Sequence, residues 1–222
     1  MIVLPQILTE EELAYVTEEL ARASFEDGKL TAQGSARDAK NNLQLQRSQD
    51  TATELDAVLM QALTRDPLLN AWGMPRTISV PLINRHAVGM HYGFHVDAAV
   101  TQQNSMMRRD LSVTLFLSDP ASYDGGELEV ESPSGLKRIK LPAGHAFIYA
   151  THALHQVRQV TRGVRHAAVF WLQSLVQDDC MRQTLFNLQA SISGLTEKGV
   201  QGQEMLLLGK VYQNLLRKSA QP

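Results

Sequence analysis

Between residues 78 and 172 the sequence alternates short β-prone runs with turn residues at the spacing of an all-β sandwich or barrel, and this texture restricts the fold more than any other feature. Asp124-Gly125-Gly126, Pro133-Ser134-Gly135, Pro142-Ala143-Gly144 and Thr161-Arg162-Gly163 supply the breaks. Glycine reaches positive φ without steric cost, and proline cannot donate to a strand ladder. Strands are expected near 78–84, 87–92, 111–117, 127–131, 136–140, 145–149, 155–160 and 164–173. About eight strands of this length suit a double-stranded β-helix, or jelly roll.

The flanks read differently. Thr9 and Glu12 form a capping-box pattern, and Leu13, Val16, Thr17 and Leu20 follow at helical spacing. A second helix is expected over 51–65, where Leu55, Val58, Leu59, Ala62 and Leu63 make one stripe and Asp66-Pro67 a stop. Residues 24–42 show little periodicity and read as a long loop, which is often functional. Beyond Ser174 two apolar stripes return, Val176, Met181, Leu185 and Leu188, then Leu206, Leu207, Val211, Leu215 and Leu216, with a break at Ser193-Gly194. The expected architecture is mainly β: a jelly-roll domain over 1–174 with N-terminal helices, and a helical extension over 175–222 packed on it.

Composition narrows the function. At 222 residues with 44% apolar and 20% charged residues, burial alone can stabilise one core. Lys and Arg number 21 against 23 Asp and Glu, for a net charge of -2, so nucleic acid is not an expected partner. Cys180 is the lone cysteine, which excludes an intrachain disulfide and a cysteine-based zinc site and favours a reducing compartment. Residues 1–8 are apolar without a basic region and run into Glu10, Glu11 and Glu12, unlike a secretory signal. The longest apolar stretch, 167–172, falls far short of the roughly 18 residues of a membrane span. A soluble, cytoplasmic protein with no membrane partner is expected. Cys180, Trp72 and Trp171 read as packing residues.

Histidines cluster in 86–95 and 145–155, and one of them opens His95-Val96-Asp97. On a strand, side chains at i and i+2 share a face, so an imidazole and a carboxylate would point together as two metal ligands. His155, opening the run 155–160, is the favoured third ligand, with His152 its nearest rival. His86, His91, His145 and His166 each read more simply as hydrogen-bonded or solvent-facing residues. A three-residue turn with Gly163 left-handed would pair Val160 with Val164 and turn His155 and Arg165 the same way. Arg165 would then stand opposite residue 159, roughly 13 Å from His155 at ~3.3 Å per residue.

Two histidines and a carboxylate form the facial triad of non-haem Fe(II) oxygenases, which leaves positions open for a bidentate co-substrate and dioxygen. An arginine beyond the metal is what a dicarboxylate such as 2-oxoglutarate needs for its distal carboxylate, and Tyr92 could add a hydroxyl donor. Arg158 and Arg162 read instead as a strand's outer face and a solvated turn, and Arg108-Arg109-Asp110 as an exposed charge cluster, with substrate contact as its second reading. The loops 24–42 and 98–110, the latter with Gln102, Gln103, Asn104, Met106 and Met107, could cover the mouth of such a site.

The run 84–97, then Asp124-Gly125-Gly126-Glu127-Leu128 and His155 with Arg165 ten residues on, resembles the bacterial PKHD-type hydroxylases of the prolyl/lysyl-hydroxylase-like Fe(II)/2-oxoglutarate dioxygenases. The resemblance covers nearly the whole chain, including 40–45 and the helical C-terminus. It implies a jelly-roll core, Fe(II) on His95, Asp97 and His155, 2-oxoglutarate on Arg165 with Tyr92 assisting, and ascorbate as a further candidate cofactor. The family spacing favours His155 over His152. The implied reaction hydroxylates a protein side chain, a peptide or a siderophore-like small molecule, with release of succinate and carbon dioxide. A cupin-like metal enzyme that does not use 2-oxoglutarate is the alternative, followed by a non-catalytic binding protein. The C-terminal stripes could also form the seam of a homodimer.

Overall fold

The computed structural model describes residues 1–31, 34–47, 50–101 and 106–221. Its centre is a pair of antiparallel sheets facing each other. The larger runs in the order Ile2–Leu4, Ala146–Ala150, Leu111–Phe116, Arg165–Ser174, Leu82–His86, Leu43–Leu45 and Phe25–Asp27, and Pro75–Ile78 pairs with the end of Arg165–Ser174. The smaller runs Gly135–Ile139, Leu128–Ser132, His155–Val157, His91–His95 and Lys40–Asn41. This is the mainly β jelly roll expected, with helices at both ends.

Period-2 alternation explains how the larger sheet serves two purposes. Leu45, Ile83, Leu111, Val113, Leu115, Ala168, Phe170 and Leu172 point outward into one apolar cluster with Val16, Leu20, Leu55, Leu59, Leu63, Leu69 and Trp72. These helix residues lie on Glu10–Arg22, Asp50–Arg65 and Pro67–Gly73, which cover that face. The intervening residues Gln44, Leu82, Asn84, His86, Thr114, Arg165, Val169 and Trp171 face the smaller sheet and line a cavity. At one end the gap is closed by Phe116, Leu128, Val130, Phe147, Tyr149 and Ala153.

Local signals translate well. Thr9 caps Glu10–Arg22: Glu12 N–H donates to Thr9 Oγ1 at 3.2 Å, and Thr9 N–H to Glu12 Oε2 at 2.9 Å. Asp66 ends the second helix as expected but also caps a further short one, Pro67–Gly73, by accepting from Leu69 N–H at 2.7 Å. The runs expected at 111–117, 127–131, 136–140, 145–149 and 164–173 form strands within a residue or two. The run expected at 87–92 begins later, because 87–90 close a turn in which Met90 N–H donates to Ala87 O at 3.0 Å. Gly125 and Gly163 are needed as glycines. Both have positive φ (70°), and a Cβ on either would stand about 2 Å from a backbone oxygen, that of Gln159 or Ser122.

Four expectations are corrected. Val160 does not pair with Val164: Val160–Arg162 pairs with Asp124–Gly125, and the chain crosses there from the smaller sheet, which holds His155, to the larger, which holds Arg165. The segment 24–42 is not a loop, since it holds Phe25–Asp27, a 3-10 turn at Gly28–Thr31, the helix Gly34–Asp38 and Lys40–Asn41. The C-terminal helices, Asp179–Glu197 and Gln203–Ser219, break around Gly199 and Gly202, both at positive φ, and not at Ser193-Gly194, which a helix accommodates. Cys180 is exposed, because it falls in the first turn of its helix, away from the cluster of Met74, Val176 and Leu185 with Met181, Tyr212, Leu215 and Leu216.

Candidate active site

His95, Asp97 and His155 converge at one wall of the cavity, their ligand atoms all within 4.8 Å of one another. Asp97 Oδ1 lies 3.8 Å from His95 Nε2, and its Oδ2 lies 3.8 Å from His155 Nε2. The two histidines are direct neighbours across adjacent strands. Each ring is oriented by its own backbone: His95 Nδ1 bonds Gly93 O at 2.8 Å and His155 Nδ1 bonds Ala153 O at 2.9 Å. A carbonyl can only accept, so Nδ1 carries a proton in both rings and Nε2 is the atom each ring offers to a metal. Burial, then the neighbouring His155, lowers the pKa of His95 to about 4, which keeps its imidazole neutral as a metal ligand must be. Two imidazoles and one carboxylate fit a divalent iron with open positions.

Asp97 lies just past the strand His91–His95, so His95 and Asp97 do not share a strand face in the simple manner of i and i+2. Other residues aim its carboxylate instead. Trp171 Nε1 donates to Oδ2 at 2.9 Å and Ser112 Oγ donates to the same oxygen at 2.8 Å, with Thr151 Oγ1 3.2 Å from Ser112. Trp171 is therefore a cavity residue and not simply core.

Tyr92 and His95 are three apart and would point to opposite faces of a regular strand. An irregularity corrects this: His155 pairs with His95 while Val157 pairs with Tyr92, so two steps on one strand match three on the other. Both rings then line the cavity and stack, with centroids 3.6 Å apart and an interplanar angle of 14°. Burial, then Asp97, holds the Tyr92 phenol protonated far above neutral pH.

Arg165 enters from the opposite sheet. Its side chain is only 2% exposed, and its Nε and Nη2 have no hydrogen-bond partner. It lies over the Phe116 ring at 5.4 Å, and among the described residues no carboxylate stands within ion-pair distance of it. A Cβ at Gly126 would come within 3.0 Å of Arg165 Cδ, so the Asp-Gly-Gly turn also leaves room for the arginine. A buried fork of unspent N–H donors is a receptor for a carboxylate.

The cavity measures about 720 Å³, several times what a five-carbon dicarboxylate fills. Val100, Thr101 and Arg109 from one of the two expected covering segments, and Thr31, Gly34, Ala36 and Lys40 from the other, line it. Gln102, Gln103 and Asn104 lie outside the described residues. Met107 is buried and Met106 exposed.

His152 is exposed and lies outside this constellation, whereas His86 is buried on it. His86 pairs with Arg165 on the next strand, and neither of its ring nitrogens has a partner. Arg158 and Arg162 pair with Glu129 and Asp124 away from the cavity, as expected. The cluster at 108–110 is not a free loop: Arg108 pairs with Asp110, and the Arg109 guanidinium stacks 3.8 Å over the Trp171 ring. Lys40, Asn84, His86 and Trp171 join the cavity beyond the residues the sequence points to; even spacing of Asn84 with His86 and of Trp171 with Arg165 along their strands is the signal for three of them, and Lys40 has none.

A family model described as the 2OG-Fe(II) oxygenase superfamily matches residues 81–173, and one described as the PKHD-type hydroxylase C-terminal domain matches residues 179–221. The chain is similar to a PKHD-type hydroxylase of Klebsiella pneumoniae (strain 342), 43% identical over 217 residues that cover 97% of this chain and 96% of that protein. Its fold is similar to a prolyl hydroxylase from Trichoplax adhaerens in complex with a hypoxia inducible factor oxygen degradation domain peptide fragment. That match has a TM-score of 0.56 at 13% identity and covers 77% of this chain and 82% of the other. It is also similar to HygX from Streptomyces hygroscopicus with nickel, 2-oxoglutarate and hygromycin B bound, with a TM-score of 0.53 at 14% identity, covering 76% and 80%.

Proposed function

The chain belongs to the PKHD-type hydroxylases of the 2OG-Fe(II) oxygenase superfamily, and from that premise we propose that His95, Asp97 and His155 hold the iron while Arg165 takes the distal carboxylate of 2-oxoglutarate. The protein is thus a 2-oxoglutarate-dependent iron dioxygenase, and the alternative of a metal enzyme without that co-substrate lapses. The observation that carries the residue assignment is the pairing of two features in one cavity: an imidazole-imidazole-carboxylate cluster with both Nε2 atoms free, and an unpaired buried guanidinium.

When bound, the iron would let dioxygen act as oxidant, with 2-oxoglutarate supplying two electrons: one oxygen atom goes to succinate, which forms with carbon dioxide, and the other turns a substrate C–H into C–OH. The chain's own residues position and shield. The carbonyls of Gly93 and Ala153 keep both histidines in the ligating tautomer, and Trp171 and Ser112 fix the carboxylate. Arg165 sets the orientation of the co-substrate by a charge-assisted, two-pronged contact, and Tyr92, held neutral beside His95, offers a supporting hydroxyl. Leu128, Val157 and Val169 exclude water between these groups. Ascorbate enters this reading as an accessory reductant only, with no subsite of its own among the described residues.

The substrate in this reading is a peptide, a protein side chain or a small molecule such as a siderophore. That range is supported by the peptide bound to the Trichoplax protein and the hygromycin B bound to HygX. The catalytic unit is taken as 1–174 with 175–222 as its extension, and a second copy would seat on the exposed Leu206, Leu207 and Val211. A mass in solution equal to one chain would remove the homodimer. Among the described residues no helix is long and apolar enough to cross a membrane, and in this reading the exposed thiol of Cys180 suits a reducing cytoplasm.

The test is anaerobic addition of Fe(II) and then 2-oxoglutarate to the apoprotein. A weak visible band, characteristic of iron chelated by a keto acid, is expected after the second addition. Iron bound with no such band would overturn the reading. Ser112→Ala should lower iron affinity by about 10- to 100-fold in chelator competition, because Asp97 loses one of the two donors that orient it. An unchanged affinity would show that Trp171 alone suffices.

A further inference from the structure

Once iron and 2-oxoglutarate are placed, the described residues that line the cavity still carry more positive charge than its carboxylate balances. The two charges of the iron cancel those of the co-substrate, Asp97 cancels one of the three cations Lys40, Arg109 and Arg165, and two positive charges remain. Asp97 is the one carboxylate among the described residues lining the cavity. With Arg165 given to 2-oxoglutarate, Lys40 and Arg109 are left over.

Lys40 is the more telling of the two. It is 4% exposed, and it pairs with Tyr92 on the strand that carries His95. Its Nζ lies 5.3 Å from the centre of the Tyr92 ring and donates one described hydrogen bond, to Thr31 Oγ1 at 3.1 Å. An ammonium has three N–H groups to place. The hydroxyl of Thr31 donates onward to Gln44 Oε1 at 2.6 Å, and Gln44 and Asn42 both donate to Asn84 Oδ1 at 2.9 Å. Asn42 Oδ1 is left without a partner. This amide chain fixes the direction of the lysine without neutralising it.

A structural role does not account for such a lysine. Buried ammonium groups are ordinarily paired, and among the described residues no carboxylate lies within ion-pair distance of Lys40. Asp97 and, more weakly, Asp27 act on Lys40 from a distance and Asp97 acts on Arg109, but none of these carboxylates forms an ion pair with either cation among the described residues. A divalent cation bound at Asp97 repels both cations. An anion arriving with the substrate would satisfy both.

We propose that the substrate of this enzyme bears a carboxylate, that Lys40 is its principal ligand with Arg109 on the Trp171 ring as the second, and that this contact turns the reacting C–H toward the iron. The proposal rests on the assignment of Arg165 to 2-oxoglutarate and deepens it. A free organic acid and a Glu or Asp side chain of a peptide share this chemistry.

The experiment uses the anaerobic holoenzyme, loaded with Fe(II) and saturating 2-oxoglutarate, and measures binding by calorimetry. Hexanoate is compared with hexanamide for a free acid, and a short peptide with a central Glu with the same peptide carrying Gln. In at least one pair the charged member should bind about 10-fold or more tightly than the neutral one. Lys40→Met, close in length and apolar, should reduce that preference to about two-fold, and Lys40→Arg should keep most of it. The pair that responds identifies the source of the carboxylate. Equal binding of acid and amide in both pairs, or a preference that survives Lys40→Met, would overturn the proposal. If Lys40→Met instead loses 2-oxoglutarate while Arg165→Met retains it, Lys40 is the co-substrate's ligand and the assignment of Arg165 fails with it.

Discussion

Asp97→Ala is expected to abolish retention of iron while leaving the fold intact. Asp97 supplies the carboxylate of the three-ligand cluster and is the group both histidines approach, at 3.8 Å each. Removing an outer hydrogen bond from a metal ligand costs about 10- to 100-fold in affinity, so removal of the ligand itself should exceed that range. The fold should survive because the lost side chain belongs to the cavity wall and not to the apolar cluster behind the larger sheet. Trp171 Nε1 and Ser112 Oγ, which donate to Asp97, would turn to cavity water. Chelator competition with Fe(II), accompanied by a melting curve, reads both quantities. His155→Ala should reproduce the loss, and His152→Ala, at an exposed position, should not. An Asp97→Ala protein that keeps one iron per chain with native affinity would refute the triad.

Arg165→Met should weaken 2-oxoglutarate by about 2 to 4 kcal/mol, or about 30- to 700-fold, with iron binding unchanged. The arginine is fully buried with Nε and Nη2 unspent, and burial lowers its pKa. An unpaired buried cation of this kind destabilises the empty protein, so an apolar side chain of similar length should leave the apoprotein as stable as the parent or more so. Loss of co-substrate affinity with a maintained or raised Tm separates a ligand from a structural residue. Undiminished 2-oxoglutarate binding would remove Arg165 from the site. A large fall in Tm would show instead that the guanidinium supports the gap between the sheets.

What could be read from the residues is what short-range physics encodes. The capping box at Thr9 and Glu12, the stripe from Leu55 to Leu63, the turn glycines 125 and 163, and the alternation along Arg165–Ser174 involve partners a few residues away or a backbone angle only glycine adopts readily. That His95, Asp97, His155 and Arg165 belong to one cavity is implied by the resemblance of spaced residues to a known family, and the fold brings all four to that cavity. The geometric route to it was not sound. Arg165 does not reach the cavity by pairing in a hairpin with the strand of His155; it comes from the facing sheet. Tyr92 joins His95 only because the pairing with His155–Val157 slips by one residue.

A mainly β chain with helical flanks, and two histidines and an aspartate of metal-ligating type, can be read from the residues alone, since periodicity, turn chemistry and residue identity are properties of neighbours along the chain. Tertiary structure alone decided which sheet each ligand strand joins, that Trp171 and Ser112 aim Asp97, and that Lys40 lies buried without a carboxylate. Those outcomes follow from pairing and packing between segments tens of residues apart, such as Lys40 beside Tyr92 and Trp171 beside Asp97. Local pattern places a residue on a face; which other face it meets is settled by the long-range contacts that close the two sheets.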